Sequence, residues 1–337
     1  MSAPATGGRQ PLKYLFPGWY AVVMGLCGLS LAWHRAVPVM GDGAGAASVV
    51  IGGAAALVFA VLAVATLVRA KAHPEAWAED RRHPVRHTFI AALPISVILL
   101  ATVAVAHGLH DPLVDALWAV GALAQLGVTA WVMGRWWKGN GAGGLVWASV
   151  TPALFIPIVG NVLVPLAGVP LGHVEWSAAQ FGVGLLFWPV VLILIGVRIA
   201  TQGLWPERMR PASFIVVAPP AVVGLAALQF GAPAIVAWGL WGMALFSAAW
   251  AALQARVIAA MPFGLPHWGL SFPLAALAAL TLRLGQGGGF VATLGTLLLA
   301  LASLVITALV LATVKGLRDG SLLAPEPVAA IQPAAAG

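Results

Sequence analysis

The strongest constraint on this chain is a succession of ten apolar runs, each about 20 residues long, parted by short Gly-, Pro- or charge-rich stretches. The runs occupy 17–36, 46–69, 88–107, 113–134, 147–169, 177–198, 211–230, 233–254, 264–283 and 289–314. A helix of that length matches the hydrocarbon thickness of a bilayer. Charged residues make up 8% of the 337, against roughly 25% in a soluble protein. That is too little charge to clothe an aqueous surface, so the pattern predicts an all-α integral membrane protein. One transmembrane domain, 17–315, is expected between a short N-terminal segment, 1–16, and an Ala/Pro-rich tail, 316–337, expected to be disordered. No cleavable signal peptide is expected, because the first apolar run is long enough to stay in the membrane. Pro152, Pro157 and Pro165 interrupt the fifth run, the weakest of the ten.

The distribution of Lys and Arg orients the chain. With the N-terminus cytoplasmic, fifteen of the 17 basic residues fall on the inner side, and only Arg35 and Arg283 on the outer. Cytoplasmic loops of membrane proteins carry such an excess. The asymmetry predicts a multi-pass protein of the cell (inner) membrane with both termini inside. It also accounts for the net charge of +7 without a nucleic-acid partner. Trp33, Trp136, Trp137, Trp176 and Trp205 fall near the ends of runs, as interfacial belts require.

Interior prolines concentrate in odd-numbered runs: Pro94, the three prolines of the fifth, Pro219 and Pro220, and Pro273. Among even runs only the sixth has one, Pro189. A proline inside a helix removes one backbone hydrogen bond and displaces the carbonyl four residues back. Lipid cannot satisfy that carbonyl, whereas protein or a water-filled cavity can. The pattern predicts five helix hairpins, with five inner odd helices around a central pore and five outer even helices. The competing reading is a packed bundle that prolines merely bend.

The ionisable residues exclude several function classes. No Asp, Glu, Lys or Arg falls at mid-membrane, which argues against a proton relay, although backbone carbonyls can still hold Na⁺. The only cysteine, Cys27, lies in an apolar run and is expected to be a packed thiol. His34 and His107 fall at similar depth near the outer surface, where a haem would need two facing ligands. No spacing requires one, and no cofactor or metal is expected. There is no HExxH, no GxSxG and no paired-aspartate motif, so no enzyme is expected. The Gly-rich stretches 139–144 and 285–289 read as loops between runs. Mid-membrane polar groups are few. Gln125 is expected to hydrogen-bond between helices, while Ser96, Asn161 and Ser271 divide between that role and a pore-facing one.

Several segments resemble one known family. The first run, FPGWYAVVMGLCGLSLAW (Phe16 to Trp33), is similar to the opening of the tellurite-resistance/dicarboxylate transporter family, which includes the plant slow anion channels. HPVRHTF (His83 to Phe89), VGN (Val159 to Asn161), FIVVAPPA (Phe214 to Ala221) and WGLSFP (Trp268 to Pro273) resemble its third, fifth, seventh and ninth helices, in order. The resemblance implies ten helices in five hairpins, a homotrimer with one pore per protomer, and passage of small anions. It also implies a pore-occluding phenylalanine, which maps onto Phe272.

Together these readings predict a passive anion pathway in membrane lipid, gated by Phe272. Gly25, Pro94, Ser96, Pro157, Asn161, Pro219, Ser271 and Pro273 are expected to line or kink it, and Arg35 and Arg283 to stand at its outer mouth. The alternative is a carrier for a C4-dicarboxylate, sulfite or tellurite-linked anion using the same pore. Anion over cation preference rests on the resemblance and on the lack of pore carboxylates.

Overall fold

A computed structural model describes residues 11–139 and 143–324, all helix and connections. Nine described helices are long and apolar enough to cross a membrane. We label them α1 (Pro17–Met40), α2 (Asp42–Ala72), α3 (Arg86–Ala106), α4 (Pro112–Lys138), α6 (Val174–Gln202), α7 (Glu207–Gln229), α8 (Ala234–Ala252), α9 (Leu265–Gly287) and α10 (Gly289–Arg318). The shorter apolar helix Pro152–Gly168 falls between α4 and α6 and is labelled α5. The fifth run is therefore shorter than the sequence suggests and is broken near Val164 and Pro165. A short helix, Pro74–Arg82, joins α2 to α3. Of the tail expected to be disordered, 316–337, the first three residues instead continue the last helix to Arg318; 325–337 lie outside the described residues, as does the centre of the 139–144 loop.

In α3, α5, α7 and α9, Pro94, Pro157, Pro219, Pro220 and Pro273 do not fall in the middle of a continuous α-helix. Each odd-numbered segment opens with a 3₁₀ stretch and then widens into α-helix, at Ala21, Ala92, Phe155, Ala218 and Ser271. Pro94, Pro157, Pro220 and Pro273 are each the third residue of the α-helical part, and Pro219 is the second. The first turn of an α-helix has no intrahelical partner for its N–H groups, so proline costs least there. The expected interior kink is thus a 3₁₀-to-α junction, placed where a missing donor is tolerated. Pro189, inside α6, is an interior proline as read.

Burial alternates along the chain. In each long odd helix at least 56% of the most apolar stretch is buried, and in each even helix at most 33%. Every residue of Phe155–Leu163 in α5 is buried. The even helices instead present exposed apolar side chains such as Val61, Leu123, Leu186, Phe246 and Leu304, as a lipid-facing surface requires. Reversals between neighbours are tight. Gly41, between α1 and α2, and Gly288, between α9 and α10, have φ of 73° and 83°, a conformation that side chains disfavour. Asp111 opens α4 by accepting from the N–H groups of Leu113 and Val114 at 2.9 and 3.0 Å.

Candidate pore and its constriction

The odd helices enclose a cavity of about 700 Å³ that opens at the end where α1 begins. Its wall within the bundle comes from Met24 of α1, Ile95 of α3, Ile156, Val159 and Leu163 of α5, Ala218 of α7, and Phe272 and Pro273 of α9. Arg69, at the end of α2, is the one lining residue from an even helix. We call this space the vestibule. Beyond it the inner helices pack closely, with Cys27, Leu99 and Ala278 fully buried.

Phe272 lines the vestibule. It follows Ser271, the first residue of the α-helical part of α9, and the 3₁₀ stretch Leu265–Leu270. Its ring lies against α1, where a Cβ on Gly28 would come within 2.9 Å of Cδ2. Only a glycine lets α1 and the ring approach so closely. Gly25, one turn earlier, makes the same room for Ser271, whose Oγ would meet a Cβ there. Gly25 is therefore a packing position rather than a lining one.

The polar residues of the inner helices are spent on helix backbone and on neighbouring helices. Ser271 donates to Trp268 O at 2.7 Å. Ser96 donates to Ala92 O at 2.8 Å and to Tyr20 O of α1 at 3.3 Å. Asn161 is fully buried in a network joining α4, α5 and α6. Its Nδ2 donates to Thr129 Oγ1 at 2.9 Å and to the carbonyls of Pro157 and Ile158 at 3.1 Å. Its Oδ1 accepts from Gln180 Nε2 at 3.0 Å. Gln125, read as an interhelical donor, gives its Nε2–H to Pro157 O at 2.8 Å. Ser96 and Asn161 thus take the interhelical role, whereas Ser271 bonds within α9; Pro94, Pro157 and Pro219 stand outside the vestibule wall, and Phe272 and Pro273 are on it. The reason is general: a buried hydroxyl or amide without a partner costs free energy, and a neighbouring helix carbonyl is the nearest acceptor.

The rim of the vestibule is ionic, which sequence reading did not anticipate. Arg69 and Asp80 form a buried pair at 2.7 Å, and Arg86 reaches Asp80 and Glu79, each at 3.4 Å. Burial pushes the Asp80 carboxyl above the usual carboxylate range, while Arg69 and Arg86 pull the other way. Arg69 Nε also donates to Lys13 O at 3.1 Å, which pins the segment before α1 to the end of α2. The Arg86 guanidinium lies 5.8 Å from the Phe16 ring centroid, and Phe16 meets Phe89 edge to face at 5.8 Å. The rim cations Lys13, Arg69, Arg86 and Arg208 outnumber the lining carboxylates Glu79 and Asp80. The signal was present in HPVRHTF, since His83, Val85, Arg86 and Phe89 all line the vestibule.

Arg35 and Arg283 lie at the opposite end of the bundle, both half-buried. His34 and His107 meet there edge to face, with ring centroids 5.0 Å apart, too close to hold a macrocycle between them. Among the described residues no group of three or more His, Cys, Asp or Glu converges as a metal site would.

With this architecture in view, the comparison with known families is decisive: residues 14–314 match the voltage-dependent anion channel (SLAC1) family. The chain belongs to that family. It is 27% identical over 210 residues to the S-type anion channel SLAH2 of Arabidopsis thaliana, a match covering 62% of this chain and 40% of the plant protein. It is 24% identical over 264 residues to a tellurite resistance protein TehA homolog of Haemophilus influenzae, covering 77% and 78% of the two chains. An uncharacterised transporter of Methanocaldococcus jannaschii is 22% identical over 298 residues, covering 80% and 83%. As a family member this is a multi-pass membrane protein of channel or transporter type, and the match takes in α1 to α9 and most of α10.

Proposed function

We propose that this protein passes small anions down their gradient through the axis of the five odd helices, and that the Phe272 ring closes that path. One observation carries the reading: Phe272 lines a cavity whose wall is built from all five odd helices. An apolar ring at a narrow point blocks ions by dewetting. The sign of the ion follows from the rim, where cations exceed carboxylates and raise the local anion concentration.

Ten crossings in five hairpins fit the same cavity. Its lining draws on Lys13 to Met24, Arg69 to Ile95, Ala148 to Leu163, Pro206 to Ala218, Met261 to Pro273 and Ser321 to Ala324. Six stretches meeting at one end support a crossing out and a crossing back between each neighbouring pair. The excess of Lys and Arg at that end makes it the cytoplasmic one, with both termini inside. Assembly as a homotrimer with a path in each protomer belongs to the same reading.

Ion replacement across a planar bilayer tests it. The reversal potential should follow the anion gradient and ignore the cation. Nitrate should pass at least as readily as chloride, because a neutral constriction offers nothing to replace a tightly held hydration shell. A potential that follows the cation, or a preference for sulfate or fluoride, would refute the proposal. A vestibule of about 700 Å³ also has room for a small organic acid, which favours a second reading as a dicarboxylate carrier. Flux that saturates with malate at low concentration would select it.

A further inference from the structure

We propose that Arg81, Arg82, Arg135 and Lys138 hold the headgroup of an anionic phospholipid, whose acyl chains lie along the exposed face of α4. None of the four lines the vestibule, so the site stands independently of the anion path.

Two elements build it. Arg81 and Arg82 are the last two residues of the short helix Pro74–Arg82. The carbonyls that end a helix have no partner within it. Arg135, near the end of α4, supplies one. Its guanidinium donates to Arg81 O at 2.8 Å and to Arg82 O at 3.4 Å. Its Nε donates to Gly143 O at 2.9 Å, in the connection after α4, and its Cζ lies 5.9 Å from the Trp131 ring centroid. This clamp brings three arginines to one place. Lys138 follows one 3₁₀ turn after Arg135, with its N–H bonded to Arg135 O at 3.1 Å. Arg81, Arg82 and Lys138 are exposed. Among the described residues none of the four pairs with a carboxylate. Arg69 and Arg86 at the vestibule rim are instead both paired with acids. Cations gathered this closely repel one another until an anion joins them.

The surface beside the cluster decides which anion. Leu113, Val120, Leu123 and Trp131 are exposed along α4, at spacings that put them on one helix face. Trp137 follows at the end of that stripe and is 92% exposed. A bare indole at the end of an apolar stripe belongs in the headgroup layer of a membrane. A soluble phosphate would use the cations alone. A phospholipid uses the cations, the indole and the stripe together.

Native mass spectrometry of the full-length protein tests this by counting retained lipids. The probes are phosphatidylglycerol and phosphatidylcholine of equal chain length, with inorganic phosphate as competitor. Wild type should retain phosphatidylglycerol in preference to phosphatidylcholine. Arg81→Gln, Arg82→Gln and Lys138→Gln should each weaken phosphatidylglycerol about fivefold, as loss of one cation beside an anionic headgroup predicts, and leave phosphatidylcholine unchanged. Trp137→Ala should weaken both lipids alike. Arg256→Gln and Lys315→Gln, which remove exposed cations elsewhere, should leave the preference intact. All these side chains are exposed, so each variant should melt with wild type. An equal fall in the Arg256 and Lys315 variants would make the attraction a property of the whole basic face and overturn the site. Displacement of phosphatidylglycerol by an equal concentration of inorganic phosphate would overturn the lipid as its occupant. A wild type without preference between the two lipids would overturn both.

Discussion

α5 and α9 share one backbone device and use it in opposite ways. Each runs from a 3₁₀ stretch into an α-helix whose third residue is proline, Pro157 in one and Pro273 in the other. The residue before each proline, Ile156 and Phe272, lines the vestibule. In α5 the neighbours lock the junction. Pro157 O accepts from Gln125, Thr129 and Asn161, so α4 and α5 hold it from several directions. In α9 the Ser271 hydroxyl bonds locally to Trp268 O, a single indole N–H, that of Trp268, reaches α10 at Thr313, and the ring rests on a bare glycine of α1. The same turn is a fixed wall when its carbonyl is cross-linked. It becomes a candidate moving part when a ring lies over glycine.

Breaking the lock on α5 should have the largest effect on stability. Asn161→Ala takes one acceptor from Gln180 Nε2, which keeps its bond to Ala122 O, and removes donors to Thr129, Pro157 and Ile158. We expect a loss of about 2–3 kcal/mol from these buried bonds together. Thermal unfolding in detergent measures it. Current per folded channel should be unchanged, and a change in ion selectivity would show that Asn161 faces the path after all.

Gly28→Ala sharpens the comparison from the α9 side. The added methyl meets the Phe272 ring, which must shift toward the vestibule. Current should fall by about threefold, a barrier change of under about 1 kcal/mol. In a Phe272→Ala background the same substitution should change nothing. An equal effect in both backgrounds would place the strain in the helices and not on the ring. The smallest expected effect is that of Trp268→Phe, which removes the Trp268 Nε1–H bond to Thr313 Oγ1 of α10 at 2.9 Å. Thr313 keeps its own bond to Leu309 O, so the cost should be about 0.5–1 kcal/mol, read as a small shift in melting temperature.

The contrast also marks how far the chain can be read before its structure is known. Apolar run length placed nearly every helix, because a bilayer imposes one length and forbids unpaired backbone. The proline bias separated buried from exposed helices correctly, but through a different device than a kink. Whether a proline sits in an interior turn or in a first turn depends on where the 3₁₀ stretch ends, and composition does not show that. The place of Phe272 on the vestibule wall was legible because an aromatic stood beside a proline in a segment resembling a known family. Ser96, Asn161 and Ser271 were ambiguous for a plain reason. A polar group in an apolar run needs a partner, and sequence does not say whether that partner is water or a helix across the way. The ionic rim was hidden by distance, since Arg69, Asp80 and Arg86 meet only once α2 and the Pro74–Arg82 helix have folded back.

The central claim is that the Phe272 ring, by its size, closes the path. The most direct test is current per channel in planar bilayers for wild type and for Phe272→Leu, Phe272→Val and Phe272→Ala, with the folded fraction of each measured alongside. The account predicts that current rises as the side chain shrinks, by about tenfold or more for alanine, as loss of a dewetted barrier near 1.4 kcal/mol requires. Selectivity for anions over cations should stay constant through the series. Current that is flat or falls with side-chain size, in variants that fold as well as wild type, would make Phe272 a packing residue and remove the gate.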